Sequence, residues 1–72
     1  MTDLIYVDSS NVDQIGYDED AGEVHVIFKR GGRYYVYSGV YLEVWERFRD
    51  SSSKGIFVNE EFKAKQYPCR EM

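Results

Sequence analysis

Two alternating runs flanking a glycine-rich tetrapeptide constrain this chain more than any other feature. Glu23 to Phe28 puts Val24, Val26 and Phe28 on one side and Glu23, His25 and Ile27 on the other, the two-residue period of a strand. Arg33 to Ser38 forms the second run, and Lys29-Arg30-Gly31-Gly32 lies between them. Glycine supplies the positive φ that a reversal requires, so the segment predicts a hairpin. A four-residue loop sets Val26 against Tyr35 and Val24 against Tyr37. A two-residue loop shifts the pairing by two and keeps the same faces together, because cross-strand partners share a face. Under either, Tyr35 and Tyr37 join the valines, and Tyr34 and Val36 join His25 and Ile27. A three-residue loop with a bulge reverses the assignment, and the sequence leaves that alternative open.

The flanking segments extend the pattern. Asp3 to Ser9 alternates as a short strand, and Asn11 to Tyr17 as another with Ile15 and Tyr17 pointing the same way. Asp18-Glu19-Asp20-Ala21-Gly22 is a polar turn. From Tyr41 the period changes: Tyr41, Val44, Trp45 and Phe48 fall at helical spacing, with Glu43 and Arg47 as an outer i,i+4 pair. The helix is expected to end within Asp50–Gly55, with Gly55 as a left-handed stop. Asn59 reads as the N-cap of a short second helix over 60–66, Glu60 and Glu61 in its first turn and Lys63 and Lys65 later. Residues 68–72 read as a tail. These expectations describe one α+β domain over 1–72: a three- or four-stranded antiparallel sheet against one helix, plus a short C-terminal helix. Its expected core is Val24, Val26, Phe28, Tyr35, Tyr37, Val44, Trp45 and Phe48.

Seventy-two residues suit one domain with a thin core, and seven Tyr, four Phe and one Trp compensate with large buried areas. The one cysteine, Cys69, allows no internal disulfide. The first residues have neither the basic nor the apolar stretch of a signal peptide, and no run is long enough to span a membrane; the expected location is the cytoplasm. Net charge is −4 but polarised. Residues 1–28 hold seven acids and no Lys or Arg; all nine bases follow, with six acids. Such a dipole orients a charged partner.

The residues Ser9-Ser10, Ile15-Gly16-Tyr17-Asp18, Val24-x-Val26-x-Phe28, Gly32-x-x-Tyr35-Val36-Tyr37 and Val40, followed by Ser53-Lys54-Gly55-x-Phe57-x-Asn59-x-x-Phe62-Lys63-x-x-x-Tyr67, resemble the KTSC domain pattern across about residues 5–67. That family is named for a C-terminal extension of some lysyl-tRNA synthetases and also occurs as small stand-alone proteins of bacteria and phages. Tyr41 stands where the family usually has Pro, and Ser51 where it usually has Ala. The resemblance implies no established activity, and RNA binding is suggested for the family only from the synthetase fusions.

Candidate chemistry is sparse. His25, the single histidine, has no evident nucleophile beside it. His25 and Cys69 are too few for a structural zinc site, and Asp18-Glu19-Asp20 lacks the spacing of a calcium loop. No catalytic residue, metal or cofactor is expected. Ser51-Ser52-Ser53-Lys54-Gly55 is not a nucleotide phosphate loop, although Ser53 and Lys54 are anion-contact candidates. A non-catalytic binding module is therefore expected, in one of two forms. The net acidity favours the first, a protein-interaction or regulatory domain, such as an inhibitor of a host enzyme, contacting its protein partner through Asp18, Glu19, Asp20 and Glu23. The second binds RNA, another nucleic acid or nucleotide phosphate through Arg30, Arg33, Arg47, Arg49, Ser53, Lys54, Lys63 and Lys65, with Tyr34 as the stacking aromatic. An open sheet edge also permits a homodimer.

Overall fold

The computed structural model describes residues 3–72. Five antiparallel strands form one sheet in the order β1-β2-β3-β4-β5: β1 (Leu4–Tyr6), β2 (Val12–Asp18), β3 (Glu23–Phe28), β4 (Tyr34–Tyr37) and β5 (Cys69–Glu71). Each strand is thus a neighbour of the next in sequence, with the helical segment inserted between β4 and β5. The central hairpin has the four-residue loop. Val26 pairs with Tyr35 and Val24 with Tyr37, and the Phe28 amide donates to the Arg33 carbonyl at 2.8 Å. Lys29 opens the loop, and Gly31 (φ 74°) and Gly32 (φ 60°) make the reversal. In β2, Ile15 and Tyr17 pair with Val26 and Val24 and share the valine face. One extra residue, Asp13, bulges β2 between Val12 and Gln14, which bends the strand.

The strand count and the tail need correction. Residues Cys69–Glu71 are not a tail but a fifth strand, paired with β4 through Tyr37–Cys69, Val36–Arg70 and Tyr35–Glu71. It is exposed throughout, so no hydrophobic alternation marks it.

Helix α1 (Leu42–Asp50) buries Val44 and Phe48. Ser51 closes it, its amide and its hydroxyl both donating to the Phe48 carbonyl. The second helical segment starts earlier than expected. Helix α2 (Lys54–Phe57) is N-capped by Ser53, whose hydroxyl accepts from the Ile56 amide. It runs directly into a π-helical turn over Val58–Lys63, with the Ala64 amide donating to the Asn59 carbonyl, five residues back, at 3.0 Å. Gly55 therefore lies inside a helix rather than stopping one, and Asn59 lies in the π turn rather than capping it. The wider π register turns Val58, Glu61 and Phe62 inward.

The core lies between one face of the sheet and this helical layer: Val12, Ile15, Val24, Val26, Tyr37, Val40, Val44, Phe48, Val58 and Phe62. Phe62 is its centre. Its ring stacks on Tyr37 at 4.9 Å and meets Phe48, Phe57 and Tyr67 edge-on between 5.3 and 5.6 Å. Trp45, expected in the core, is half-buried and stacks on Tyr17 at 5.5 Å, while the Tyr17 hydroxyl donates to the Val40 carbonyl at 2.6 Å. Phe28 and Tyr35 are also half-buried and border the core. No helix among the described residues is long and apolar enough to cross a membrane.

Candidate nucleic-acid interface

The hairpin loop, the segment leading into β2 and the π turn meet around an open groove of about 1260 Å³. Its aromatic surface comes from the half-buried rings of Phe28 and Tyr35 on the sheet and Tyr67 on the helical side, over a floor of buried Tyr37 and Phe62. Four cations line it: Lys29, Arg30 and Arg33 from the hairpin, and Lys63 from the π turn. Not one Asp or Glu is among the lining residues, although acids outnumber bases in the chain as a whole. The Lys63 ammonium lies 6.0 Å from the centre of the Phe28 ring, a cation–π distance. Arg33 donates to the Tyr35 hydroxyl at 3.3 Å. Neutral polar groups complete the walls: Ser10, Asn11, Asn59 and Gln66.

Gly55 helps shape one wall. A side-chain carbon there would lie 2.8 Å from the Asn11 side-chain nitrogen Nδ2, so the absent side chain leaves room for Asn11. The Asn11 carbonyl in turn accepts from the Lys29 amide at 2.9 Å, tying β2 to the hairpin loop. Deeper in the groove, burial and the neighbouring Cys69 thiol push the Tyr37 hydroxyl up to about 12. Tyr37 therefore stays neutral near neutral pH and offers a hydroxyl rather than a phenolate.

The sequence-derived basic candidates separate. Arg30, Arg33 and Lys63 line the groove. Arg47 and Lys65 instead approach Glu61 at 3.7 and 3.1 Å. Glu61 also accepts from the Tyr67 hydroxyl at 2.9 Å. Burial pushes its carboxyl up, but the hydrogen bonds from Tyr67 and Lys65 and the Arg47 charge outweigh burial and hold it below the usual range. Arg49 pairs with Asp50 at 3.1 Å. Lys54 is only 8 % exposed, and its ammonium donates to the Ser51 carbonyl at 2.5 Å. Within Ser53-Lys54-Gly55, then, Ser53 caps α2, Lys54 fastens the preceding turn and Gly55 makes room for Asn11.

Tyr34 lies on the opposite face of the sheet, level with Ile27. Its hydroxyl is 2.7 Å from His25 Nδ1. His25 Nε2 is buried without a partner, and burial holds the imidazole below its usual value against the raising influence of Glu23 and Asp18. Of the acidic candidates, Asp18 closes the β2–β3 turn, its side chain accepting from the Ala21 amide. Glu23 accepts two hydrogen bonds from Arg70 at 2.8 and 3.2 Å, which hold its carboxyl low. Glu19 and Asp20 remain exposed at the tip of that turn. The acidic tip and the basic hairpin loop occupy opposite ends of β3, about 17 Å apart at roughly 3.4 Å per residue. Among the described residues, no three of His, Cys, Asp and Glu converge as a metal site.

A small antiparallel α+β domain with helices on one sheet face, carrying the Tyr-x-Tyr and Ser-Lys-Gly segments in this arrangement, defines the class. The KTSC domain model matches residues 8–67, and the chain belongs to the KTSC domain family. The crystal structure of the KTSC domain protein YPO2434 from Yersinia pestis is similar over 100% of this chain and 99% of its own, at 30% identity and a TM-score of 0.91. No curated protein matches the chain.

Proposed function

We propose that this domain is a non-catalytic module that binds single-stranded nucleic acid in the groove between the hairpin and the π turn. One observation carries the reading: in a chain of net charge −4, four cations and the partly exposed rings of Phe28, Tyr35 and Tyr67 converge on one groove without a carboxylate. Cations track a phosphate backbone and aromatic faces stack on bases, the two components of single-strand binding. The opposing acidic tip steers a polyanion towards the groove end. Contact with a protein through the acidic turn has less support, because Asp18 and Glu23 are engaged within the domain and only Glu19 and Asp20 stay free at the tip.

The test is fluorescence anisotropy with labelled single-stranded RNA across a salt series. Each neutralised phosphate adds about 0.7 to the log–log slope, so the four cations set a ceiling of about 2.8. Reversing Arg30 and Arg33 to Glu is expected to flatten the slope by about 1.4 and to leave the melting temperature nearly unchanged, since exposed charges contribute little to stability. Absence of binding at low salt, or binding indifferent to Arg30 and Arg33 but lost on neutralising Glu19 and Asp20, would refute the reading.

A further inference from the structure

We infer that Gln66, seconded by Asn59, reads base edges in this groove and gives it a preference for adenine; the inference rests on the nucleic-acid reading above. Among the described residues, Gln66 is the one non-glycine residue with positive φ, at 58°. That conformation crowds a side-chain carbon against the backbone, and Gly, Asn or Asp adopt it at lower cost. Gln66 is exposed, so packing does not account for a long side chain there. Its position does: Gln66 lines the groove beside Lys63 and Tyr67. Its amide donates to the Lys63 carbonyl at 3.1 Å, which sets the turn and so directs the side chain.

A carboxamide presents one acceptor and one donor side by side. The N6 amino group and N7 of adenine are the matching donor and acceptor, and Asn or Gln pairs with them bidentately. Asn59, also exposed and on the groove wall, supplies a second carboxamide from the π turn. The division of labour follows from charge. Lys29, Arg30, Arg33 and Lys63 set affinity and its salt dependence, whereas neutral carboxamides discriminate bases without altering the slope.

The experiment compares labelled oligo(A), oligo(U) and oligo(C) of equal length by anisotropy, with the parent and with Gln66→Gly. Oligo(A) is expected to bind at least about fivefold tighter than either pyrimidine strand, the lower end of a bidentate contact. Gln66→Gly is expected to bring the three affinities together, keep the salt slope, and leave the melting temperature equal or higher because the strain is gone. Gln66→Asn, which tolerates the same backbone, retains part of the preference if the carboxamide carries it. Equal binding of the three parent complexes, or an adenine preference that survives Gln66→Gly, overturns the inference while leaving the groove reading intact. Failure of every strand to bind overturns both.

Discussion

Replacing Phe62 with alanine tests where the core is anchored. Phe62 is fully buried and its ring meets Tyr37, Phe48, Phe57 and Tyr67. Truncating a buried Phe costs about 3–5 kcal/mol from lost transfer energy and the cavity left behind. The aromatic contacts put this site at the upper end. A 72-residue domain has about 4–11 kcal/mol of stability in total, so Phe62→Ala removes a large part of it. At about 4–8 °C per kcal/mol for a domain this size, the melting temperature falls by about 20 °C or more. Trp45→Ala takes away a larger ring but a half-buried one, stacked on Tyr17 alone at its sheet side, and its cost is about 2 kcal/mol. Phe62→Leu, which fills most of the space, costs about 1.5 kcal/mol. Urea titrations followed by circular dichroism give all three values. If Trp45→Ala destabilises more than Phe62→Ala, or if Phe62→Ala melts within a few degrees of the parent, the π turn does not anchor the core as described.

Two further outcomes follow from polar groups in the interior. Burial holds the folded-state His25 pKa below its usual value, so its contribution is intact above about pH 6.5 and is lost as pH falls through that range. Glu23 and Glu61 are also held low, but their stabilisation persists to about pH 4.3 and is lost only below it. Melting temperature against pH should thus fall in two stages; His25→Phe is expected to abolish the first and to raise stability near neutrality by about 1 kcal/mol, since it removes a buried unpartnered nitrogen, and a parent curve flat between pH 7 and 5 would contradict this. Lys54→Ala leaves the Ser51 carbonyl without its donor and is expected to cost about 1–3 kcal/mol while keeping the salt slope of RNA binding; a flattened slope would return Lys54 to the phosphate contacts.

The central sheet was legible because its determinants are local. An even loop length and a two-residue period place Tyr35 and Tyr37 against Val24 and Val26 without any long-range knowledge. The helical segment after α1 was misread for reasons equally physical. Gly55 looks like a helix stop because glycine weakens helix interiors, and only the approach of Asn11 from the distant bend before β2 explains it. Phe57 and Phe62 are five residues apart, a spacing that a search at 3.6 residues per turn passes over. Lys54 carries a charge and so reads as exposed. Strand β5 has no buried face to leave a pattern. The groove has no local motif at all, since the hairpin, the π turn and the start of β2 meet only in the folded chain. The separation of acidic and basic ends was legible from charge alone, whereas the gathering of Lys29, Arg30, Arg33 and Lys63 around one groove belongs to the folded chain and leaves no trace in the net charge.

The π turn makes the groove a matter of counting as well as composition. Across Val58–Lys63 the chain holds one residue more than an α-helix of the same turns would need. Deleting a single exposed residue such as Glu60 would leave a more regular helix with nearly the same amino acids. Every residue on one side of the deletion would then rotate by about 100° relative to the other. Phe62 would leave the centre of the core and Lys63 and Gln66 would turn off the groove wall, so a relative lacking that one position would share the fold and the composition without sharing the surface.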